Sequence, residues 1–447
     1  MKITVVGLGK IGLPLAVQYA RKGHTVVGAD INTATVELVN AAREPFPGEH
    51  LLQQYLADAV SAGLLTATTD TSAAVGCSDA VVVAVPLFVD DEAAPDFRAM
   101  DTAALAVGKA LRAGTLVSFE TTLPVGTTRN RLTPILESES GLVAGRDFFV
   151  VFSPERVFTG RVFADLRRYP KLVGGINPDS AERAVQFYES VLDFDERTDL
   201  ERSNGVWNLG SSEAAELVKL AETTYRDVNI GLANQFARFA DRVGIDIYKV
   251  IEACNSQPFS HIHQPGIAVG GHCIPVYPRL YLWGDPSATV VRAAREANVA
   301  MPEYALEQLR GALGDLGDRT VLVLGAAYRA GVKETAYSGV FALVDLLRAA
   351  GAMPVVHDPL YSDEELRSLD LEPFRLGSAA DAVILHTDHD VYRYLGLGEV
   401  KGTRVVLDGR GCLSSDLWGD VKFVRLGSGL HPQRDALGLP GQPNESM

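Results

Sequence analysis

The stretch Ile3-Thr4-Val5-Val6-Gly7-Leu8-Gly9-Lys10-Ile11-Gly12 decides the fold. Its first four residues are short, mostly apolar and β-branched, and read as a buried strand. Three glycines then break the strand with a tight turn, and the pattern from Ile11 to Lys22 reads as a helix. In this spacing the first glycine permits the turn. The second lets backbone approach a pyrophosphate, and the third lets the helix pack closely. A second strand, His24 to Ala29, ends on Asp30, 18 residues after Gly12. A carboxylate at that point accepts hydrogen bonds from a ribose hydroxyl, and an acid rather than an arginine favours NAD over NADP. The dinucleotide site is therefore assigned to Gly7, Gly9, Lys10, Ile11, Gly12 and Asp30, with Pro86 and Thr122 just past later strand ends.

Outward from this turn the alternation continues. Ala80 to Val85, Thr115 to Phe119 and Phe148 to Phe152 are continuous apolar runs, as in a parallel sheet covered on both faces. From Ser211 to Val243 the period changes. Leu217, Leu220, Ala221, Thr224, Val228, Leu232, Phe236, Phe239 and Val243 recur at helical spacing. A helix of that length, about 50 Å, suits a connecting spine or a dimer interface better than a small domain. After Arg319 the first pattern returns, with strands at Thr320 to Leu324, Pro354 to Asp358, Ala382 to Leu385 and Val405 to Leu407, and a helix at Val340 to Ala350. The expected class is α/β: two Rossmann-like, doubly wound parallel-sheet domains joined by a central helical domain with one long helix. The expected boundaries are 1–205, 206–305 and 306–427, with a disordered Gly/Pro-rich tail over 428–447.

Bulk composition narrows the function. Asp and Glu total 56 against 41 Lys and Arg, a net charge of −15, which argues against nucleic acid or an anionic membrane as partner. A small anionic ligand remains compatible, because a few local cations outweigh a diffuse acidic surface. The four cysteines, Cys77, Cys254, Cys273 and Cys412, are far apart and form no CxxC pair. Free thiols, no zinc site and a soluble, cytoplasmic protein are expected.

Several residues carry chemistry. Cys273 lies in Val269-Gly270-Gly271-His272-Cys273-Ile274-Pro275-Val276, where two glycines permit close backbone approach to a ligand and a proline stiffens the loop. Such a cysteine is either a small inert hydrophobe or a nucleophile. Glu155, in Phe152-Ser153-Pro154-Glu155-Arg156, follows a strand and emerges at the sheet edge where ligands bind in open α/β folds. Its other reading is a solvated surface acid. Thr121-Thr122-Leu123-Pro124-Val125-Gly126 is either a helix cap and turn or part of a site. Lys219, inside the long helix, either snorkels to water or stabilises an oxyanion.

Taken together, these residues resemble the UDP-glucose/GDP-mannose dehydrogenase family of UDP-sugar dehydrogenases, over Met1 to about Arg425. The matching stretches are GLGKIGLPLA, SPERVFTGR at Ser153, KLAETTYRDVNIGLANQFA at Lys219 and VGGHCIPVYP at Val269. The SPER and GGHC wording is similar to the N-acetylhexosamine branch, with UDP-N-acetylmannosamine as the implied substrate. The resemblance implies four-electron oxidation of a sugar C6 alcohol to a carboxylate with two NAD+. Cys273 would capture the aldehyde, Glu155 and Thr122 would position water, and Lys219 would steady the oxyanion. Arg329 would contact nucleotide phosphates, and Arg156, Lys219, Glu155 and Gly270 would meet the sugar nucleotide. Because the helix from Ser211 to Val243 is long and amphipathic, a homodimer or larger assembly built on it is expected.

The sequence departs from the family in four places. Thr223 stands where Asn is frequent, Tyr277 where Asp is frequent, and Phe259 and Ala336 where Arg is frequent. Thr223 still donates a hydrogen bond, whereas Tyr277 cannot act as a carboxylate. His261 and His263, close to Phe259, either contact substrate or fill the loop. Two rivals follow: a two-electron hydroxyacid dehydrogenase, which needs neither Cys273 nor a second βαβ domain, and a nucleotide-sugar binding protein without turnover.

Overall fold

The structure is a computed structural model that describes residues 1–90 and 94–429. Most of the tail expected to be disordered, residues 430–447, lies outside the described residues. The chain divides into two compact units. One is Met1–Glu222 with Arg279–Pro286, and the other Thr223–Pro278 with the chain from Ser287 onward.

In the first unit the Val-rich runs become sheet. Its strands are β1 (Lys2–Val6), β2 (Thr25–Ala29), β3 (Leu65–Thr68) and β4 (Ala80–Val83), then β7 (Leu116–Phe119), β8 (Phe149–Phe152), β9 (Lys171–Gly175) and β10 (Val206–Asn208), with a small hairpin β5 (Phe88–Val89) and β6 (Pro95–Asp96) between β4 and β7. The main sheet runs β10-β9-β8-β7-β4-β1-β2-β3. Every residue of β4 and β7 is buried, as strands covered on both faces require. The order reverses between β1 and β4, which is where open α/β sheets bind ligands. One pairing departs from an all-parallel sheet: β8 and β9 are antiparallel. The connection between them carries only the short helix Val162–Arg168 and returns at the end of β8 where it left. That return positions the chemistry described below.

The long helix is Ser212–Val243, 32 residues or about 48 Å, and the chain passes from one unit to the other within it. Tyr225, Leu232 and Phe239 recur on it every seven residues, each about half exposed. The second unit's sheet has strands β11 (Thr320–Leu324), β12 (Met353–His357), β13 (Ala382–Leu385), β14 (Val405–Asp408) and β15 (Lys422–Arg425), in order β12-β11-β13-β14-β15 and all parallel. Its core is packed from the inner faces of these strands and the helices Met301–Leu313 and Gly339–Ala349. Among the described residues no helix is long and apolar enough to cross a membrane.

Candidate active-site residues in the two units

The glycine turn of the first unit has three distinct local demands. Gly7 has φ +90°, which favours glycine, and a Cβ there would stand 3.0 Å from the Ala84 carbonyl oxygen. A Cβ on Gly12 would meet the Gly7 oxygen at 1.8 Å, so only glycine lets this helix close onto β1. A Cβ on Gly9 would meet nothing within 4 Å. The bare backbone of Gly9 therefore faces open space, as a pyrophosphate cradle should. Asp30 is fixed at the end of β2 by two backbone donors, Leu8 N at 2.7 Å and Asn32 N at 2.8 Å. Lys10 and Pro86 are exposed and Ile11 is half-buried. These residues fit a dinucleotide.

The second unit repeats this turn with a different outcome. Gly7 N donates to the Ala29 carbonyl at 2.8 Å, and Gly325 N to the His357 carbonyl at 2.7 Å. Ala326 N then bonds Asp358 Oδ2 at 2.8 Å, as Leu8 N bonds Asp30. Asp358, however, also accepts from Ala327 N and Leu360 N and faces His389 Nε2 at 3.2 Å, and it is buried. Its acceptor sites are taken up inside the fold, so the second turn does not offer a ribose the carboxylate that the first one does.

Glu155 is not a solvated surface acid. Continuing the β8–β9 register three residues past Phe152↔Gly174 sets Glu155 opposite Lys171. Lys171 Nζ lies 2.8 Å from Glu155 Oε2 and 2.7 Å from Glu120 Oε2, with side-chain exposures of 4%, 9% and 0% respectively. Two carboxylates thus share one buried ammonium. Burial would raise the Glu155 carboxyl, but Lys171 outweighs it and holds Glu155 below the usual carboxylate range. Burial dominates at Glu120 and raises it. The Tyr188 hydroxyl donates to Glu120 at 2.5 Å. Nor does Lys219 simply snorkel: its Nζ donates to the Glu155 carbonyl at 2.6 Å. Arg156 pairs with Glu222 at 2.6 Å and donates to the Pro170 carbonyl. Glu155, Arg156 and Lys219 are therefore brought together, while Glu120 and Lys171 escaped the sequence reading.

Thr122 is buried in a loop anchored by another acid the sequence reading missed. Glu216, on the long helix, accepts from Gly126 N at 2.6 Å, Thr128 N at 2.8 Å and Thr128 Oγ1 at 2.7 Å. Burial nevertheless pushes its carboxyl up to about 7, against 4.5 for a free glutamate. A raised folded value means that its contribution to stability is complete below pH 4.5 and lost as pH rises through about 7. The loss is about 3 kcal/mol over that window. In Glu216→Gln this component should vanish, flattening the change in urea midpoint between about pH 5 and pH 8. An unchanged midpoint shift in the variant would contradict it.

In the second unit Cys273 is a free, half-buried thiol rather than a core residue. The loop from Gly266 to Pro275 is held at both ends. Gly266 N donates to Asn234 Oδ1 at 2.9 Å, and Arg295 Nη1 to the Pro275 carbonyl at 3.4 Å. Behind these contacts runs a buried polar seam. Arg295 Nε pairs with Asp227 Oδ2 at 2.6 Å, Asn298 donates to Asp227 Oδ1 at 2.7 Å, and Asn234 donates to Asn298 at 2.8 Å. The glycines before the cysteine make their close approach to protein. A Cβ on Gly270 would stand 2.5 Å from Tyr328 Cβ, and one on Gly271 (φ +92°) 2.9 Å from the Tyr328 ring. Tyr337, whose carbonyl faces Gly270, and Ala268, two residues before that glycine, take the left-handed φ values 51° and 60°. Strained backbone of this kind gathers at functional sites. Arg329, next to Tyr328, is exposed.

The remaining assigned residues are spread along this unit. Thr223 is buried on the long helix one turn before Asp227. His261 is exposed and His263 half-buried, their backbones bracketed by Asn229, which donates to the His261 carbonyl and accepts from His263 N. Burial, with Arg226 nearby, lowers the His263 pKa. Phe259 is 93% exposed.

Residues 1–192 match the NAD binding domain of the UDP-glucose/GDP-mannose dehydrogenase family, 213–300 its central domain and 322–415 its UDP binding domain. The chain belongs to this family. It is an NAD-dependent nucleotide-sugar dehydrogenase. A UDP-N-acetyl-D-mannosamine dehydrogenase of Pyrococcus horikoshii is 33% identical over 96% of this chain and 99% of its own. An NDP-N-acetyl-D-galactosaminuronic acid dehydrogenase of Ralstonia solanacearum is 33% identical over 92% of this chain and 96% of its own. A solved structure of the UDP-D-ManNAc dehydrogenase from Pyrococcus horikoshii superposes with a TM-score of 0.85 at 30% identity, covering 96% of this chain and 100% of that one.

Proposed function

We propose that this dehydrogenase oxidises the C6 hydroxyl of a UDP-N-acetylhexosamine, UDP-N-acetylmannosamine first among them, to the uronate. The overall change is alcohol, two NAD+ and water to carboxylate, two NADH and three protons. Bound NAD+ is the hydride acceptor for both oxidations. Lys219, oriented by the Glu155 carbonyl, steadies the oxygen as the alcohol loses its proton. Once the aldehyde has formed, the Cys273 S–H would add across the C6 carbonyl, sulfur to carbon and proton to oxygen, giving a thiohemiacetal; loss of the C6 hydride to the second NAD+ and of the hydroxyl proton to solvent would leave a thioester. Glu155 and Thr122 hold the water that adds to the thioester carbonyl. The C–S bond then breaks and the thiolate leaves. Arg329 is assigned to the phosphates, and Arg156, Gly270, His261, His263 and Thr223 to the sugar nucleotide and its surroundings.

The observation that carries this reading is Cys273 itself, an accessible thiol on a loop anchored at both ends. A dehydrogenase that stops at the aldehyde or ketone has no use for it. The N-acetyl group is favoured because the two relatives above are both named for N-acetylated sugars. The seven-residue stripe of Tyr225, Leu232 and Phe239 supports pairing of two copies along the long helix; sedimentation as a monomer at micromolar concentration would remove that part. The substrate test mixes protein, NAD+ and a panel of UDP-hexosamines and UDP-glucose. Two NADH per sugar, fastest with UDP-N-acetylmannosamine, is expected. One NADH per sugar overturns the thioester route, and none despite binding points to a protein without turnover.

A further inference from the structure

The first unit has a second concavity whose chemistry the dehydrogenase reaction does not use. An open cavity of about 360 Å³ lies between the C-terminal end of the helix Gly12–Arg21, the segment around Leu51 and Tyr55, and the helix Val162–Arg168. The dinucleotide turn is at the other end of Gly12–Arg21. Its ten residues separate the two places by about 15 Å.

The lining is cationic in a chain whose net charge is −15. Arg21, Lys22, Arg161 and Arg167 line it against a single carboxylate, Asp193. Three of the four cations are braced. Lys22 Nζ lies 2.7 Å from Asp193, Arg161 Nε 3.0 Å from Asp165, and Arg167 Nη2 2.7 Å from Asp195. Each bracing acid orients its cation; Arg161 Nη2 also donates to the Tyr169 hydroxyl at 2.9 Å and Arg167 Nη1 lies 4.0 Å from Asp193, so a ligand would meet chiefly the Nη1 side of each fork. Arg21 differs. Its guanidinium carbon sits over the Tyr55 ring, 3.6 Å from the centroid, and its Nη1 bonds only the neutral amide of Gln18. Among the described residues it forms no ion pair. Asp193, Asp165 and Asp195 are the carboxylates paired with these cations, and Arg21 is the one cation of the group outside those pairs. Tyr55 and Phe163, edge to face at 5.1 Å, add an aromatic wall. A cluster of like charges around a cavity is stabilised when an anion neutralises it, and planar guanidinium forks match phosphate oxygens.

We propose that this cavity binds the phosphate or pyrophosphate group of a small phosphorylated metabolite, at a site separate from both substrates. The claim concerns binding and does not depend on which sugar the enzyme oxidises. Gly160 and Arg161, at the rim, lie five and six residues past Glu155, and Glu49 pins their segment by accepting from Gly160 N at 2.6 Å and Val162 N at 2.7 Å.

The test is calorimetric titration of the full chain with inorganic pyrophosphate, with NADH and UDP already at saturation so that neither substrate site reports. Binding with a Kd at or below about 1 mM is expected. It should weaken roughly tenfold or more in Arg21→Gln/Arg167→Gln, the scale of losing charge-assisted hydrogen bonds. Arg21→Gln alone, with no ion pair to break, serves if the double variant does not fold. Both variants should keep the turnover of the unmodified enzyme in phosphate-free buffer. No binding, or binding that neither variant weakens, overturns the site. Glucose 1-phosphate separates the two sources of the group. Tighter binding than orthophosphate assigns the site to a sugar phosphate against Tyr55, and equal binding assigns it to the free inorganic anion.

Discussion

Cys273→Ser should cut complete oxidation by roughly 10³-fold or more, the scale on which loss of a nucleophile is felt. The replacement is nearly isosteric, so the clamp on the loop, Asn234 at Gly266 and Arg295 at Pro275, is undisturbed. What changes is acidity. A thiol is intrinsically the more acidic and more nucleophilic group, whereas a serine hydroxyl needs a dedicated base to become nucleophilic. In the proposed route the first oxidation needs no covalent bond to the protein, and Lys219, the residue assigned to it, is left unchanged. The variant should therefore release or accumulate aldehyde. Rapid mixing should show at most one NADH per active site, with aldehyde trapped by hydroxylamine, while sugar-nucleotide affinity and thermal midpoint stay at the parent values. Two NADH per sugar at an undiminished rate in Cys273→Ser would remove the thiol from the chemistry.

The glycine turn was legible because its physics is local. Gly7, Gly9 and Gly12 each answer a demand set by residues a few places away, and Asp30 ends the next strand. Strands buried on both faces were legible for a related reason: Thr320–Leu324 and Ala382–Leu385 lie where their apolar runs said they would. β3 and β10, half-buried strands of four and three residues, are too short to show a period. Lys171 was illegible for a different reason. It opens a strand as an ordinary lysine would, and only the antiparallel return of β9 on β8 sets it against Glu155. The seam Asp227–Arg295–Asn298–Asn234 joins residues 68 and 64 places apart, and no spacing rule links them. Gly270 and Gly271 show the converse error. Their sequence announced a close approach, and only the fold says that Tyr328 is what they approach.

Lys171→Met should be the most damaging single change in the first unit. It removes the one ammonium between Glu120 and Glu155, leaving two carboxylates in a pocket where their side chains are 0% and 9% exposed. Breaking one side of a buried ion pair costs about 3–5 kcal/mol, because the remaining charge keeps its desolvation penalty. Here two such charges would also repel each other. The sign with pH follows from the directions at each group. Glu155 lies below its unfolded value, so its contribution is present above the ordinary glutamate range and lost as pH falls through the folded value. Lys171 lies above its unfolded value, so its contribution is complete below the ordinary lysine pKa and lost only as pH rises through the raised one. Glu120, raised by burial, runs the other way and loses its contribution as pH rises through its raised value. The Glu155–Lys171 pair thus supports the fold across the neutral range, and the methionine variant should lose that support at pH 7, measured as a lower urea midpoint. Without Lys171, burial is left to act on Glu155 and raises it, so the acid limb of kcat/KM should move to higher pH. Adding Glu120→Gln removes the repulsion and should restore part of both losses, a coupling that a double-mutant cycle reads directly. A Lys171→Met protein with the parent's midpoint and the parent's pH profile would show that Glu155 owes neither its position nor its charge to this lysine.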